Sequence, residues 1–587
     1  MTVTKLTGGE AVAKYIKAQE VSYAVGIPGH GCLGLVDALL KNEIPIVQVR
    51  HEQSACHLAD GYFRATGKPL VVFTSISPGG CNTVVGVATA FVDSSAMIVI
   101  TGGVHVRWQG VGVLQEIERK HWADFPSIMK PIVKRSYQVT SLDQLPWVLH
   151  NAFKIAVSGR PGPVHIDLPM DIQSEAKEIE LIKDPPFIIN QQRAFPDPKV
   201  IKQVVDLLLE SKNPVILAGG GVLLSNAYSE LKQVAEHLGI PVCTTLAGKG
   251  AFVEDHPLFG FYPGTKGSPV GNELTRKADV LLALGCRFAD ETTSSYEKGI
   301  SFSIPPTKVI QVDIDPGELG KNYPVHLPVL SDIKSTLNQI LLELQHRNIK
   351  PIDLANHQVI KWLEKERKDW FEQLEVLRQH ISPMTISRLL MELRKALPRD
   401  VFVVTSGGHT QAALFQEFQI FSEGTHISSG GFSTMGFGVP AAIGVKLAHP
   451  NRTVVSVEGD GSFLMTCQEL ATAQQLKVPI IIVVADNSGW ISIRDLQINA
   501  YGHNRVYGTE FLRDNKPYGP DFAQLAKSFS CWAKKVNNPE EFQKYFKEAL
   551  KWHEGPALLW VNVERNHPLS ESPVYGAWDV PKPTYLE

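Results

Sequence analysis

Residues 454–489 read VVSVEGDGSFLMTCQELATAQQLKVPIIIVVADNSG, and this stretch decides the predicted fold. A first apolar run ends in a Gly-Asp-Gly turn, residues 468–476 have the composition of a helix, and a second apolar run at 479–484 ends just before an asparagine. This order of strand, helix and strand predicts a parallel unit of an α/β fold. Because the carboxyl ends of parallel strands open on one edge of a sheet, Asp460 and Asn487 are expected to lie close together there.

These two side chains and a nearby glycine predict a site for a metal ion and a phosphate. The Asp460 carboxylate, the Asn487 amide oxygen and the Gly489 carbonyl are hard oxygen ligands, which Mg²⁺ combines with phosphate oxygens and water. The glycines of the turn allow a phosphate to approach the backbone, and a helix N-terminus favours its negative charge. For a Gly-Asp-Gly turn alone, a helix-capping Asp460 is the structural alternative. The residues expected to bind phosphate or metal are Gly459, Asp460, Gly461, Ser462, Asn487 and Gly489, with Asp460, Asn487 and Gly489 as the metal ligands.

Size and composition indicate a multidomain soluble protein. At about 150 residues per domain, 587 residues predict three to four domains. A net charge of −3 gives no support for nucleic acid or a membrane surface as partner. No stretch of the sequence reaches the roughly 18 apolar residues that a membrane-spanning helix needs. Seven scattered cysteines without a Cys-x-x-Cys pair indicate free thiols in a reducing compartment, so a cytoplasmic location is expected.

Apolar runs alternate with helical patterns in three consecutive blocks, which predicts an α/β protein with three doubly wound parallel-sheet domains. The predicted units are residues 1–185, 195–345, a helical linker at 346–383, residues 384–565 and a tail at 566–587. The linker contains a highly charged helical segment that is expected to be solvated. Strands are predicted in the first two blocks at 22–25, 70–74, 96–101, 163–167, 215–218, 280–284 and 309–312.

A second acid stands at the start of a predicted helix in the first block. The run Arg-His-Glu-Gln-Ser-Ala at 50–55 follows a strand-like segment at 45–49 and precedes a helical pattern. The helix dipole favours a carboxylate in the first turn of a helix, and this explanation suffices for Glu52 taken alone.

Both motifs resemble those of the thiamine diphosphate enzymes of the acetohydroxyacid synthase and pyruvate oxidase group. The segment from Gly-Asp-Gly to Asn is similar to the group's diphosphate-binding motif, and Arg-His-Glu-Gln-x-Ala is similar to the motif whose glutamate bonds the aminopyrimidine ring. The resemblance covers essentially the whole chain and implies pyrimidine-binding, central and diphosphate-binding domains in that order. It implies that Glu52 favours the imino tautomer of the cofactor, whose nitrogen then removes a carbon-bound proton.

The resemblance implies further cofactor-binding residues in the third block. Met435, among the glycines of 430–438, aligns with the hydrophobic residue that holds the cofactor in its bent form, although a methionine is more often core filling. Gly408 and His409 follow the apolar strand predicted at 401–404, and this glycine-rich backbone is expected to hold diphosphate oxygens.

Two residues of the first block are candidates on the substrate side. His30, in the Gly-His-Gly loop at 29–31, can donate or accept a proton at neutral pH, with an ordinary loop histidine as the alternative. Gln115 matches a glutamine that the group keeps near the reacting centre. Residues 77–80, Ser-Pro-Gly-Gly, resemble a further active-site turn.

The central block raises the question of a second nucleotide. The glycines at 219–221 follow a strand but are weak evidence, because tight packing explains them as well. Arg287 stands in a Gly-x-Arg-Phe stretch, and Asp313 in an Asp-Ile-Asp-Pro-Gly-Glu stretch, that resemble flavin-carrying relatives. The segment at 260–265 departs from the synthase pattern. FAD, an ADP-like nucleotide and an empty site therefore all stay open.

Two segments depart from acetohydroxyacid synthases. Glu291 stands where those enzymes use an arginine to select the second 2-oxo acid, and residues 488–497 differ from their Gly-Met-Val and Gln-Trp segment. The stretches at 29–34, 290–295 and 487–497 are locally similar to the hydrolase of inositol breakdown that opens a trihydroxycyclohexane-1,2-dione ring, although this chain is shorter than that family.

The leading functional prediction is a thiamine diphosphate- and Mg²⁺-dependent C–C bond lyase or ligase of 2-oxo compounds. Its reference reaction is that of acetolactate synthase, the decarboxylation of pyruvate followed by carboligation. The alternatives are hydrolytic cleavage of a cyclic 1,2-dione, a pyruvate oxidase or decarboxylase, and a cofactor-binding protein without catalysis. A hydride-transferring dehydrogenase is disfavoured because the chain has no Gly-x-Gly-x-x-Gly fingerprint in the central block.

The resemblance also implies a quaternary structure. In this group the pyrimidine-binding block of one chain faces the diphosphate-binding block of another, so Glu52 and Asp460 of one site are expected to come from different subunits of a homodimer or homotetramer. Tyr575 and Trp578 in the tail are candidates for covering the site, with a loose C-terminus as the alternative.

Overall fold

The computed structural model describes residues 4–117, 125–187, 193–566, 576 and 578–586. These residues form three parallel β-sheets, each flanked by helices, in three successive units of the chain. The predicted α/β class with three doubly wound parallel-sheet domains is confirmed.

The N-terminal unit is built on a six-stranded parallel sheet with the order β3-β2-β4-β5-β7-β6, and β1 pairs with β8 in a separate antiparallel ribbon. Its strands are β1 (Thr4–Thr7), β2 (Ala24–Gly26), β3 (Ile46–Gln48), β4 (Val71–Thr74), β5 (Ile98–Gly103), β6 (Arg135–Gln138), β7 (Val164–Pro169) and β8 (Ala176–Ile179). Its helices are α1 (Gly8–Ala18), α2 (Leu33–Lys41), α3 (Glu52–Thr66), α4 (Ser77–Val92), α5 (Phe125–Met129), α6 (Leu145–Val157) and α7 (Met170–Ser174).

The central unit has a five-stranded parallel sheet with the order β10-β9-β11-β12-β13. Its strands are β9 (Pro214–Ala218), β10 (Val242–Thr244), β11 (Val280–Leu284), β12 (Lys308–Asp313) and β13 (Leu327–Leu330). Its helices are α8 (Pro198–Glu210), α9 (Gly220–Ser225), α10 (Tyr228–Leu238), α11 (Pro269–Lys277), α12 (Asp290–Thr293) and α13 (Ile333–His346).

The linker forms one long helix, α14 (Gln358–Leu377). The structure differs from the expected solvated connector, because one face of this helix packs into the core of the central unit through Leu363, Trp370 and Leu374. The charged residues occupy the opposite face. Their density in the sequence obscured the stripe of apolar residues that is buried on the first face.

The C-terminal unit has a second six-stranded parallel sheet, with the order β15-β14-β16-β17-β21-β20, and a small hairpin, β18-β19. Its strands are β14 (Phe402–Thr405), β15 (His426–Ser428), β16 (Val454–Gly459), β17 (Ile481–Asp486), β18 (Leu512–Arg513), β19 (Lys516–Pro517), β20 (Trp532–Val536) and β21 (Ala557–Asn562). Its helices are α15 (Ile386–Ala396), α16 (His409–Glu417), α17 (Gly438–Ala448), α18 (Asp460–Thr466), α19 (Glu469–Gln475), α20 (Ile491–Tyr501), α21 (Phe522–Ser528) and α22 (Pro539–Ala549).

The N-terminal and C-terminal units share a hydrophobic core across the contact between α3 and α17. The two helices approach closely because each presents a glycine to the backbone of the other. A Cβ atom at Gly61 would overlap the carbonyl oxygen of Ala441, and one at Gly444 would overlap that of Leu58. This close contact fixes how the two units sit within one chain. Among the helices of the described ranges, none has the length and apolar character of a membrane span.

Candidate active site

The carboxyl edge of the C-terminal sheet brings the first motif together. Strands β16 and β17 are parallel neighbours, with Gly459 opposite Ala485, so the residues that follow them meet at one edge. Asp460 opens α18 directly after β16, and Asn487 follows β17. The Asp460 carboxylate accepts a hydrogen bond of 3.2 Å from the backbone N–H of Gly489. The three predicted metal ligands therefore lie on one edge of the sheet.

This edge carries two buried acids. Asp460 is 3% exposed, and its burial together with the nearby charge of Asp486 raises the pKa of Asp460 to about 7. Asp486 accepts hydrogen bonds of 2.9 Å from the Ser488 backbone N–H and the Trp560 indole. Two close, buried carboxyl groups favour a bound cation, because a cation offsets both the desolvation and the mutual repulsion of their charged forms. The set of one carboxylate, one amide and one carbonyl fits Mg²⁺.

The glycines of the turn have different surroundings. A Cβ atom at Gly461 would overlap the indole ring of Trp490, so only glycine fits against this aromatic side chain. A Cβ atom at Gly459 would lie 3.9 Å from the Thr410 hydroxyl, which is ordinary contact. The position of Thr410 places the start of α16 beside the turn.

The start of α16 contributes a second loop to this edge. Gly408 has a φ of 125°, a backbone conformation that side chains rarely adopt, and His409 is the buried first residue of the nine-residue helix. The unpaired N–H groups at the start of such a helix favour an anion. The predicted diphosphate loop and the predicted metal turn therefore adjoin each other.

The third loop of this edge carries Met435, and we call residues 430–438 the Met435 loop. Met435 is half-buried between Thr434 and Gly436, which has a φ of 75°. The N-terminal unit holds the loop on one side, since Thr89 and Thr434 share a hydrogen bond of 2.7 Å and the Gly431 N–H donates to Asp93 at 2.7 Å.

Ser462 holds the Met435 loop on its other side. Its hydroxyl donates to Glu458 at 2.8 Å and accepts from the Gly436 N–H at 2.9 Å. Burial raises the pKa of Glu458 to about 7, although serine hydroxyls donate to its carboxylate. The predicted phosphate-binding residue Ser462 is thus tied to an acid that the motif analysis passed over.

Glu52 opens α3 on the N-terminal unit and is 8% exposed. Its Oε2 atom accepts a hydrogen bond of 2.9 Å from the Asn82 side chain on α4. Gly79 adjoins the other oxygen, because a Cβ atom there would lie 3.0 Å from Glu52 Oε1. Residues 77–80, predicted as an active-site turn, form the first turn of helix α4 and lie against Glu52.

The start of α3 also touches the C-terminal unit. The Arg50 backbone N–H donates to the Glu469 carboxylate at 3.1 and 3.2 Å, and Glu469 opens α19. His51 caps α3, with its Nδ1 accepting from the Gln53 N–H at 3.2 Å. Within one chain, therefore, the C-terminal unit meets this end of α3 with α19.

The two predicted substrate-side residues differ in their settings. His30 is exposed in the loop after β2, and the neighbouring Gly31 N–H donates to Ser75 at 3.3 Å, which places this loop beside the 77–80 turn. Gln115 has a φ of 66° and a buried side-chain oxygen that has no hydrogen-bond partner among the described residues. No described contact connects Gln115 with Glu52.

Three family models match successive parts of the chain. They are the N-terminal TPP binding domain (residues 6–122), the central domain (201–340) and the C-terminal TPP binding domain (406–561) of thiamine pyrophosphate enzymes, another name for thiamine diphosphate enzymes. A probable acetolactate synthase large subunit of Methanocaldococcus jannaschii is 37% identical over 568 residues, which cover 95% of this chain and 92% of the relative. The chain belongs to the acetolactate synthase family of thiamine diphosphate enzymes.

Other members of the family match to a similar extent. A probable acetolactate synthase large subunit of Methanococcus aeolicus is 36% identical over 580 residues, covering 97% of this chain and 94% of the relative. The acetolactate synthase isozyme 3 large subunit of Escherichia coli K12 is 34% identical over 577 residues, covering 95% and 94%. The recognition of a thiamine diphosphate enzyme similar to acetolactate synthase is confirmed.

A large cavity of about 1000 Å³ lies where the three units of this family member meet. The predicted nucleotide residues Arg287 and Asp313 both line it, together with the glycines after β9. The Arg287 guanidinium donates to the Val92 carbonyl at 2.9 Å, and burial raises the pKa of Asp313 to about 6. The cavity is at the upper end of the size range of small-molecule sites.

The segment that departs from the synthase pattern also adjoins this cavity. Glu291 forms an ion pair of 2.7 Å with Lys266, whose ammonium lies 4.9 Å from the centre of the Trp578 ring. The Gly576 N–H donates to the Thr265 carbonyl at 3.3 Å, so the described tail residues contact the central unit. Tyr575 lies outside the described residues.

Sequence reasoning missed three residues of this site. Glu458 precedes the Gly-Asp-Gly turn, and an acid within an otherwise apolar strand was an available signal. Asp486 ends β17 and was visible in the same motif. Asn82 had no signal, because its contact with Glu52 depends on how α3 and α4 pack.

Proposed function

We propose that this protein is a thiamine diphosphate- and Mg²⁺-dependent acetolactate synthase, which decarboxylates pyruvate and joins the resulting two-carbon unit to a second 2-oxo compound. The observation that carries the proposal is the meeting of Asp460, Asn487 and Gly489 at one sheet edge, beside the start of α16. The names of the relatives, which are acetolactate synthase large subunits, support the reaction.

The C-terminal unit would hold the charged end of the cofactor. Asp460, Asn487 and the Gly489 carbonyl would bind Mg²⁺, and the backbone at Gly408 and His409 would bind diphosphate oxygens. Met435 would support the bend of the cofactor. When bound, thiamine diphosphate supplies an electron sink for the electrons released by decarboxylation.

Glu52 would manage the proton at the pyrimidine end. Asn82 occupies Oε2 of this carboxylate, so Oε1 is the oxygen that is available to a ring nitrogen. Gly79 leaves room on that side, where a larger residue would crowd Oε1. A carboxyl group held in this way can share a proton with the ring and so promote the tautomer needed for catalysis. His30 and Gln115 are proposed to contact the substrate.

We propose that Glu52 of one chain serves the metal site of another chain in a homodimer or homotetramer. The described partner of the Glu52 carboxylate is in its own unit, and the C-terminal unit of the same chain meets the start of α3 with Glu469. Apolar side chains are exposed on elements that carry the site, namely α4, the Met435 loop and α18: Val85, Phe432, Leu464 and Met465. Burial of these side chains against a protein partner would be favourable.

The central cavity is proposed to bind FAD or an ADP-like nucleotide. Arg287 offers a cation and Asp313 a carboxylate for ribose hydroxyls, and both line one cavity of sufficient size. Mass spectrometry of the ligand released from the denatured protein tests this part of the proposal. Release of FAD or an adenine nucleotide supports it, and a protein that binds neither FAD nor ADP on titration contradicts it.

The same proposal assigns roles and a compartment. Residues 1–185 bind the pyrimidine, 195–345 form the central domain, 346–383 link it to the diphosphate-binding domain at 384–565, and 566–587 form the tail. The cytoplasm is the proposed compartment, which is supported by seven cysteines that are all free thiols.

Hydrolytic cleavage of a cyclic 1,2-dione is the second candidate, and one observation favours it. Glu291 neutralises Lys266, so this side of the cavity offers no free cation from that pair to a second carboxylate substrate. Water or hydroxide would then be the acceptor in place of a 2-oxo acid.

The test is to incubate the purified protein with thiamine diphosphate, Mg²⁺ and pyruvate, and to measure acetoin after acid treatment. Acetoin that depends on both cofactors is expected. Consumption of a cyclic 1,2-dione without acetolactate formation would replace the proposal by the second candidate. Pyruvate-dependent reduction of an electron-acceptor dye would indicate an oxidase.

A further inference from the structure

Glu458 is a buried acid at the centre of a network of serines. It is the penultimate residue of β16 and is 1% exposed. Its Oε2 atom accepts hydrogen bonds of 2.8 Å from both Ser406 and Ser462, and its Oε1 atom accepts one of 2.9 Å from Ser456. A buried carboxylate with donors on both oxygens is a strong and directional acceptor.

Two of these serines carry the network into the Met435 loop. The Ser406 hydroxyl accepts a hydrogen bond of 2.8 Å from the Gly438 N–H, and the Ser462 hydroxyl accepts one of 2.9 Å from the Gly436 N–H. Each serine therefore bridges Glu458 and a backbone amide of the residues just after Met435. The third serine, Ser456, is on the same strand as Glu458, and its described hydrogen bond is to Glu458 rather than to a loop amide, although its hydroxyl lies 2.8 Å from where a Cβ atom of Gly438 would stand.

The network joins the three loops at the edge of the C-terminal sheet. Ser406 immediately precedes the Gly407-Gly408 pair, Ser462 follows the Asp460 turn, and the two glycines belong to the Met435 loop. The contact is also steric, because a Cβ atom at Gly438 would overlap Glu458 Oε1. Both the charge and the shape of this carboxylate therefore fit the start of α17.

We propose that Glu458 is a positioning residue. It holds the Met435 loop in place relative to the glycine-rich loop at 406–408 and the Gly-Asp-Gly turn at 459–461. It acts through Ser406 and Ser462 rather than by contact with the cofactor. The consequence for catalysis rests on the proposed function, since Met435 and Asp460 serve the cofactor there. The effect on the loop, which we call the mechanical part, is independent of the proposed function, because it concerns backbone amides of the cofactor-free chain.

Hydrogen exchange of the cofactor-free protein tests the mechanical part. In Glu458→Gln, the amide NH₂ group replaces a carboxylate oxygen and cannot accept the hydrogen bonds that serine hydroxyls donate to it. The serines then hold the loop amides less well, and hydrogen exchange in a peptide that contains Gly436 and Gly438 is expected to accelerate on the order of tenfold. The matched control Ser456→Ala removes one hydrogen bond to Glu458 but none of the described hydrogen bonds to the Gly436 and Gly438 amides, and its exchange is expected to stay at the wild-type rate. Equal exchange in Glu458→Gln and the control would overturn the proposal.

Two further variants keep the test informative if Glu458→Gln folds poorly. Ser406→Ala should accelerate exchange of the Gly438 amide, and Ser462→Ala should accelerate exchange of the Gly436 amide. Overlapping peptides that contain only one of these two glycines should distinguish the two effects. Acceleration spread equally over the whole unit would mean a general loss of stability, and would overturn the positioning role.

Cofactor binding tests the functional part. Thiamine diphosphate affinity in the presence of Mg²⁺, followed by quenching of tryptophan fluorescence, is expected to fall on the order of tenfold in Glu458→Gln and to stay unchanged in Ser456→Ala. kcat should fall in Glu458→Gln while KM for pyruvate stays near the wild-type value. Unchanged affinity and kcat would overturn the functional part. A wild-type protein that turns over no 2-oxo acid would contradict the proposed function and leave the exchange result standing.

Discussion

The N-terminal and C-terminal sheets of this protein have the same strand order and different chemistry. Counted along the chain, the six parallel strands of each sheet are arranged second, first, third, fourth, sixth and fifth. Helices α3 and α17 each follow the second strand of their sheet, and they pack against each other through Gly61 and Gly444. One architecture is therefore used twice in the chain, and the two copies face each other.

The residues after equivalent strands differ. After the second strand, the N-terminal sheet places Glu52 and the C-terminal sheet places the Met435 loop. After the third strand, the N-terminal sheet has residues 77–80 at the start of α4, and the C-terminal sheet has Asp460 and its glycines at the start of α18. The shared strand order therefore supplies an edge for ligands in both units, while the loops decide what each edge can bind.

The largest expected effect comes from the acid of the N-terminal sheet. Glu52→Gln keeps the shape but cannot hold the proton, so kcat is expected to fall by on the order of 10²–10⁴ while cofactor affinity changes little. Steady-state kinetics and fluorescence titration measure the two quantities. Glu178→Gln, on an exposed strand of the same unit, serves as control. Full activity in Glu52→Gln would remove Glu52 from the mechanism.

The next effect comes from the acid of the C-terminal sheet, which is expected to act on binding. Asp460→Asn removes the charge of a proposed metal ligand, so Mg²⁺-dependent cofactor affinity should fall by about 100-fold, measured by titration calorimetry. Asp521→Asn is the matched control, because Asp521 caps α21 by accepting a hydrogen bond of 2.7 Å from the Gln524 N–H. Two variants with the same pattern of lost binding and lost turnover would contradict the division of labour between Glu52 and Asp460.

The contact between the two units gives a smaller effect on stability. Gly61→Ala and Gly444→Ala each place a methyl group against a carbonyl oxygen of the partner helix, which should cost about 1–3 kcal/mol of unfolding free energy each. Because the two glycines occupy matching positions, thermal unfolding should show similar decreases for both variants. A large decrease in one variant and none in the other would show that the contact is not symmetric.

The smallest effect is a pH dependence of stability. Burial lowers the pKa of His57, which packs edge-to-face against Phe437 of the C-terminal unit, to about 4, and that of His165 to about 3. The unfolded chain binds these protons near pH 6.5, so stability is present above that pH and falls as the pH decreases. About 1 kcal/mol per histidine should be lost between pH 6.5 and 5.5.

Unfolding midpoints at several pH values measure this loss. His57→Gln should reduce the slope of stability against pH by the contribution of one proton. Substitution of the exposed His503 by Gln should leave this slope unchanged. A steeper profile in His57→Gln would mean that His57 is protonated in the folded protein.

The sequence allowed the sheets, and the sheet edge that carries Asp460, to be predicted because both follow from local patterns. Apolar runs marked β16 and β17, and residues that follow adjacent parallel strands must meet, so Asp460 and Asn487 could be placed together. The buried face of α14 was harder to predict, because dense charge on one side of a helix obscures a narrow apolar stripe on the other.

Contacts between distant residues were beyond the reach of the sequence. Ser406 and Glu458 are separated by 52 positions and meet only because β14 and β16 are neighbours in the sheet. Asn82 reaches Glu52 only through the packing of α3 against α4. The acid within an apolar strand marks Glu458 as unusual, but nothing in the local pattern identifies the residues that Glu458 contacts, and the segment around Asn82 carries no signal.

The central claim is that one cofactor site joins the N-terminal unit of one chain to the C-terminal unit of another. Mixed oligomers of Glu52→Gln chains and Asp460→Asn chains, prepared by co-expression with different tags, test it most directly. If sites form between chains, half of the sites in a mixed dimer combine an intact Glu52 with an intact Asp460. A randomly mixed preparation should then recover about a quarter of the wild-type activity, far above either parent variant. If the site were built within one chain, every site would carry one defect, and activity no higher than that of the parents would contradict the account.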